Sequence, residues 1–111
     1  MPNDKNPVIL LGALRLGSNI TDKGMPHVTC LTGLKSLHIN ETSITDRGLE
    51  KIADLVNLEY IVLSPGQVSQ VSIQQLKNLP KLTKVGCYVE SLKDAAYLLL
   101  KVSLPKVEIE C

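Results

Sequence analysis

A six-residue segment returns twenty-four positions later: Ile20-Thr21-Asp22-Lys23-Gly24-Met25 recurs as Ile44-Thr45-Asp46-Arg47-Gly48-Leu49. An apolar frame keeps the same period, as Leu31, Leu34, Leu37, Ile39, then Leu55, Leu58, Ile61, Leu63, then Leu79, Leu82, Val85, Cys87. So short a repeat restricts the chain to a stack of similar units, because one unit cannot bury its apolar side alone. Stacks of this kind present one long exposed face, which suits binding better than enclosed chemistry.

Each unit opens with a short alternating segment. The alternation predicts strands near 14–16, 37–39, 61–63, 85–87 and 107–109, with the first and third residues inward and the middle one outward. About twenty residues separate successive strands, enough for parallel pairing with a helix in each crossover. In the second unit, Thr45 and Asp46 offer N-cap oxygens. Leu49, Ile52, Ala53 and Val56 then follow i, i+3, i+4, i+7, the spacing of one apolar helix face. That helix is expected to be the best formed. Pro26 disfavours helix at Met25, so the first is expected to be short and to begin near Pro26. The third, around 70–78, carries Lys77 where the second has Ala53, and is expected to be loose or partly 3₁₀. The fourth is apolar around its circumference from Leu92 to Val102. It either seals an open end of the stack or docks on another chain.

The run Leu34-x-x-Leu37-x-Ile39-x-x-Thr42-x-Ile44-Thr45-Asp46-Arg47-Gly48-Leu49 resembles the leucine-rich repeat superfamily. It is most similar to the subclass L-x-x-L-x-L-x-x-(C/N/T)-x-I-T-D-x-G-L, seen in ribonuclease-inhibitor-like, F-box-associated and bacterial repeats. The resemblance is strong over 31–63, degraded over 11–30 and 64–87, and weak after 88. It implies one α/β domain over 1–111 of about four repeats: a short solenoid with a parallel sheet on its concave face and short helices on its convex face. The family's inner hydrogen-bonding position reads Asn19, Thr42, Gly66 and Glu90, so only the first two units can supply that bond. In the third unit Val68-Ser69-Gln70-Val71-Ser72-Ile73 replaces the usual turn.

Composition removes several function classes. Twelve Lys and Arg against eleven Asp and Glu give a net charge of +1. The signs are mixed throughout, which gives no footprint for nucleic acid or an anionic membrane. Three Tyr with no Phe or Trp make base stacking a poor prospect. Cys30, Cys87 and Cys111 are distant and odd in number, so a reducing, cytoplasmic setting is expected rather than a disulfide framework. No signal peptide is expected, since no basic segment precedes Pro7–Leu14. His27-x-x-Cys30 offers two metal ligands where a site needs three or four. Ser36, Glu59 and Ser64 near His38 lack the buried acid and cleft of a triad. No enzyme, metal or cofactor is expected.

Such arrays usually bind through the outward strand residues. Three columns follow from the frame: Ala13, Ser36, Tyr60, Lys84, Lys106; Arg15, His38, Val62, Gly86, Glu108; and Gly17, Asn40, Ser64, Tyr88, Glu110. The expected contact set for a partner protein is Arg15, His38, Tyr60, Val62, Lys84 and Tyr88, with tyrosine as the anchoring type. The plain alternative is an ordinary strand surface, which Tyr and Val also suit. Self-association through the fourth helix or an open end, and a role as regulatory subunit or inhibitor of an enzyme, are the alternatives in function.

Overall fold

Alternation of apolar and polar residues produces five strands among the residues described, 12–89 and 94–110 of this computed structural model. They are β1 (Ala13–Arg15), β2 (Ser36–His38), β3 (Tyr60–Leu63), β4 (Lys84–Cys87) and β5 (Glu108–Glu110). All pair in parallel, in chain order, as one sheet. The helices are α1 (Met25–Thr29), α2 (Asp46–Leu49), α3 (Gln70–Lys77) and α4 (Ala95–Ser103), one in each crossover. The protein is therefore α/β, with its helices between consecutive strands. Among the described residues no helix is long and apolar enough to cross a membrane.

The inward strand residues form the core with the helices' apolar sides. Leu14, Leu37, Ile61 and Val85 sit side by side and are buried, as are Ile39, Leu63 and Cys87. The frame leucines Leu34, Leu55, Leu58, Leu79 and Leu82 complete the cluster. Ile109 occupies the fifth place in that row. The sequence reading put Val107 there, two residues early. The twenty-four-residue spacing of Leu37, Ile61, Val85 and Ile109 explains the correction: the last crossover is as long as the two before it.

The order of helix quality is also reversed. α2 has one α-helical turn, then breaks at Lys51 into a 3₁₀ turn at Ile52–Asp54. Val56, expected on its buried face, is exposed. α3 is instead regular over two turns. Its start is secured by Ser69, whose Oγ accepts from the Ser72 N–H at 3.2 Å while the Ser69 N–H donates to Ser72 Oγ at 2.8 Å. This reciprocal cap satisfies donors that a helix start otherwise leaves open. In α1, Met25 is helical despite preceding Pro26, which takes an early position where its missing N–H costs nothing. Leu92 and Glu90 lie outside the described residues, as does Cys111.

The recurring Asp ties one unit to the next. The backbone N–H of Thr45 (2.7 Å), its hydroxyl and the Gly48 N–H (3.1 Å) all donate to the Asp22 carboxylate. One unit later the Ser69 hydroxyl donates to Asp46 at 2.6 Å. A Cβ on Gly48 would collide with Asp22 Oδ1 and with Ile44 and Met25, so close approach requires glycine there. The Thr45 side-chain bond, followed by the two backbone bonds, holds the Asp22 carboxyl below its ordinary value. A depressed folded-state value means stabilisation that is present above about pH 4 and lost as pH falls through the lowered folded value. Asp22→Asn is expected to cost about 1–2 kcal/mol at pH 7, at the low end for a charged acceptor because the group is partly exposed. It should also flatten the acid limb of stability against pH, read by urea titration at several pH values.

Candidate functional site

The outward side chains of the sheet assemble two adjoining clusters. Parallel register places Arg15 beside His38, His38 beside Val62, and Tyr60 beside Lys84. His38 and Tyr60 meet edge to face, with ring centroids 5.5 Å apart and planes at 87°. Lys84 Nζ lies 5.4 Å from the Tyr60 ring centroid, within cation–π range.

The first cluster is internally satisfied. Tyr60 reaches across the sheet and donates its phenolic hydrogen to Glu110 Oε1 at 2.8 Å. Lys84 Nζ is 3.0 Å from Glu110 Oε2 and 3.9 Å from Glu108. Gly86 makes that reach possible, since a Cβ there would stand 3.1 Å from the Tyr60 hydroxyl and 3.2 Å from Val62. Burial, then the bond to Glu110, raises the Tyr60 phenol well above its ordinary value. Lys84 and then Tyr60 hold Glu110 below the usual carboxylate value, and Glu110 in turn raises Lys84. These groups form a charged strap over strands β3 to β5.

Val62 must be removed from the contact set. Its side chain has outward parity but is 0 % exposed, packed between His38, Gly86 and the overlying tyrosine. It serves as a small second core on the outer face. The column positions of the last strand also shift: Glu108 and Glu110, not Lys106 and Glu108, stand beside Lys84 and Gly86.

The second cluster remains open. Arg15, His38 and Tyr88 converge on a cleft of about 390 Å³, joined by Gly17, Ser18, Asn40 and Glu41. Arg15 has no ion pair among the described residues. Burial and then the charge of Arg15 push His38 below its ordinary value, so its imidazole is mainly neutral at pH 7. Tyr88 is more than half exposed. Glu41 has φ +62°, a left-handed conformation uncommon for a residue with a side chain. Its N–H donates to Ser64 Oγ at 2.8 Å, which holds this turn against the next unit. Glu41 was not legible as a rim residue, because nothing in its sequence context announces a left-handed turn.

Among the described residues no group of three His, Cys, Asp or Glu is placed to hold a metal ion. Cys30 lies on the surface and Cys87 in the core. No protein-family model matches the chain, and no curated protein matches it.

Proposed function

We propose that the chain is a short leucine-rich repeat solenoid, with the sheet as its concave face, that acts without catalysis as a protein–protein interaction module. The observation carrying this reading is the open half of the sheet face. Arg15, which has no ion pair among the described residues, a neutral His38 and an exposed Tyr88 surround a cleft, beside a second half already closed by its own ion pairs. Arginine and tyrosine anchor protein interfaces because they combine large contact area with directional bonds. The strap around Tyr60 supplies a rigid border. A cytoplasmic setting accords with the odd number of cysteines. An enzyme as the bound partner would make the chain a regulatory subunit or inhibitor, a narrower form supported by resemblance alone.

Affinity capture from native extract tests the proposal, comparing wild type with Arg15→Glu/Tyr88→Glu. Tyr60 is left intact, because a glutamate there would face Glu110 and disturb the fold. A protein retained by wild type and lost by the folded variant supports the open cleft. Equal retention sends the interface elsewhere. Self-association is the second reading, favoured by Leu98 and Val102 of α4, which are 49 % and 79 % exposed.

A further inference from the structure

The sheet has two outer strands, β1 and β5, and among the described residues no strand pairs with the far edge of either. In a parallel ladder, backbone groups of alternate residues point to opposite neighbours. The Leu16 N–H donates to the His38 carbonyl (3.0 Å), which assigns even-numbered β1 residues to β2 and leaves Ala13 and Arg15 pointing outward. At the other edge the Glu108 N–H donates to the Thr83 carbonyl (2.9 Å), so Ile109 points away from β4. The two edges are thus complementary in backbone phase.

They are complementary in charge as well. The row Leu14, Leu37, Ile61, Val85, Ile109 defines the register. Continued by one more strand, it would place a second copy's Leu14 beside Ile109, its Ala13 beside Glu108 and its Arg15 beside Glu110. Residues directly opposite in a sheet stand about 5 Å apart, close enough for an ion pair. The Glu108 side chain is 72 % exposed and, among the described residues, pairs loosely with Lys84 alone at 3.9 Å, and Arg15 has no acidic partner among them. The crossover that leads to β5 also carries the exposed apolar side chains of Leu98 and Val102. An unpaired strand edge is a template for another chain, and the groups on these two edges match each other.

We propose that β5 of one copy pairs in parallel with β1 of a second copy, extending the sheet head to tail in the same register. This contact uses the strand edges and does not depend on the sheet-face reading above. It is heterologous, so it adds copies without a built-in end unless the rotation between them closes a ring.

Sedimentation velocity of the full chain, from micromolar to millimolar concentration and at low and high salt, tests it. The wild type should form dimers and then longer species, weakened by salt. Ile109→Pro removes the outward N–H, at a place where an edge strand tolerates proline, and also trims a side chain packed on the core. With a folded circular dichroism spectrum it should remain monomeric, and Ile109→Val, which keeps the N–H and most of the side chain, should associate like wild type. Ala13→Lys adds a cation opposite Glu108 and should shift association to roughly two- to five-fold lower concentration. Ala13→Glu, at an exposed position that cannot disturb the core, should shift it the other way. A wild type and an Ala13→Lys variant that stay monomeric throughout overturn the proposal. So does association that Ala13→Glu leaves unchanged, or that survives Ile109→Pro and disappears in Val102→Glu, which would locate the contact on α4.

Discussion

Leu37→Ala is expected to destabilise the protein by about 2–5 kcal/mol, the range for emptying a buried leucine site that cannot collapse. Leu37 is 0 % exposed and sits between Leu14 and Ile61 in the inner row of the sheet. Truncating it opens a cavity touching the first three units at once. In a chain where each strand pairs only with its neighbours, a defect at β2 separates the first unit from the rest. Urea denaturation followed by circular dichroism reads the loss. A cost below about 1 kcal/mol would contradict the inward placement of this row. Leu58→Ala, buried one unit later, should behave alike.

Gln67→Leu is the second large effect. The Gln67 side chain is only 7 % exposed and every polar atom of its amide is used. Nε2 donates to the Ile39 carbonyl (3.1 Å), Thr42 Oγ1 (3.1 Å) and the Ile44 carbonyl (3.2 Å), and Oε1 accepts from the Ser64 N–H (2.9 Å). Leucine fills similar space and bonds to none of these. The Thr42 hydroxyl still donates to Ile39 at 2.7 Å, so two backbone groups, at Ile44 and Ser64, lose their partner. At about 1–3 kcal/mol for each buried unsatisfied group, the expected cost is about 2–4 kcal/mol. Gln75→Leu is the control. Gln75 is half-buried and accepts one bond, from the Ala53 N–H at 3.0 Å, so its loss should be near 1 kcal/mol. Equal losses in the two variants would mean that the Gln67 network contributes no more than a single half-buried bond.

Gln67 also shows where sequence reading stops. Gly66 at the inner hydrogen-bonding position suggested that the third unit has no such bond. The bond is supplied from the next residue, and it faces backward into the second unit. A pattern read by column cannot see a side chain that serves a neighbouring column. Asn19 gives the opposite case, being exposed and making no side-chain hydrogen bond among the described residues. The strands were legible because one face is buried, and a slip of one residue would invert every side chain. Their inward rows follow from period two alone. The helices were read less well because spacing says nothing about caps. Reciprocal bonding by Ser69 and Ser72 lengthens α3, whereas Gly48, needed for contact with Asp22, sits inside α2.

The outer face was legible as a set of neighbours but not in its division of labour. Arg15, His38, Tyr60, Lys84 and Tyr88 lie together as their parity requires. Val62 is buried beside a glycine at position 86, where a Cβ would crowd both Val62 and the Tyr60 hydroxyl that reaches Glu110. The same contacts engage Tyr60 and Lys84, both half-buried, and leave Arg15 and Tyr88 as the exposed part of the cleft. A tyrosine that is already bonded contributes rigidity to an interface rather than new bonds.

The most direct test of the proposed role is the dissociation constant, by titration calorimetry, of the captured partner with wild type, Tyr88→Ala and Val71→Ala, an exposed apolar residue on α3 away from the sheet. Binding at the open cleft predicts a loss of about thirty-fold for Tyr88→Ala, the scale of a hot-spot truncation of about 2 kcal/mol, and no change for Val71→Ala. An unchanged constant for Tyr88→Ala in a folded protein would contradict the sheet face as the binding surface.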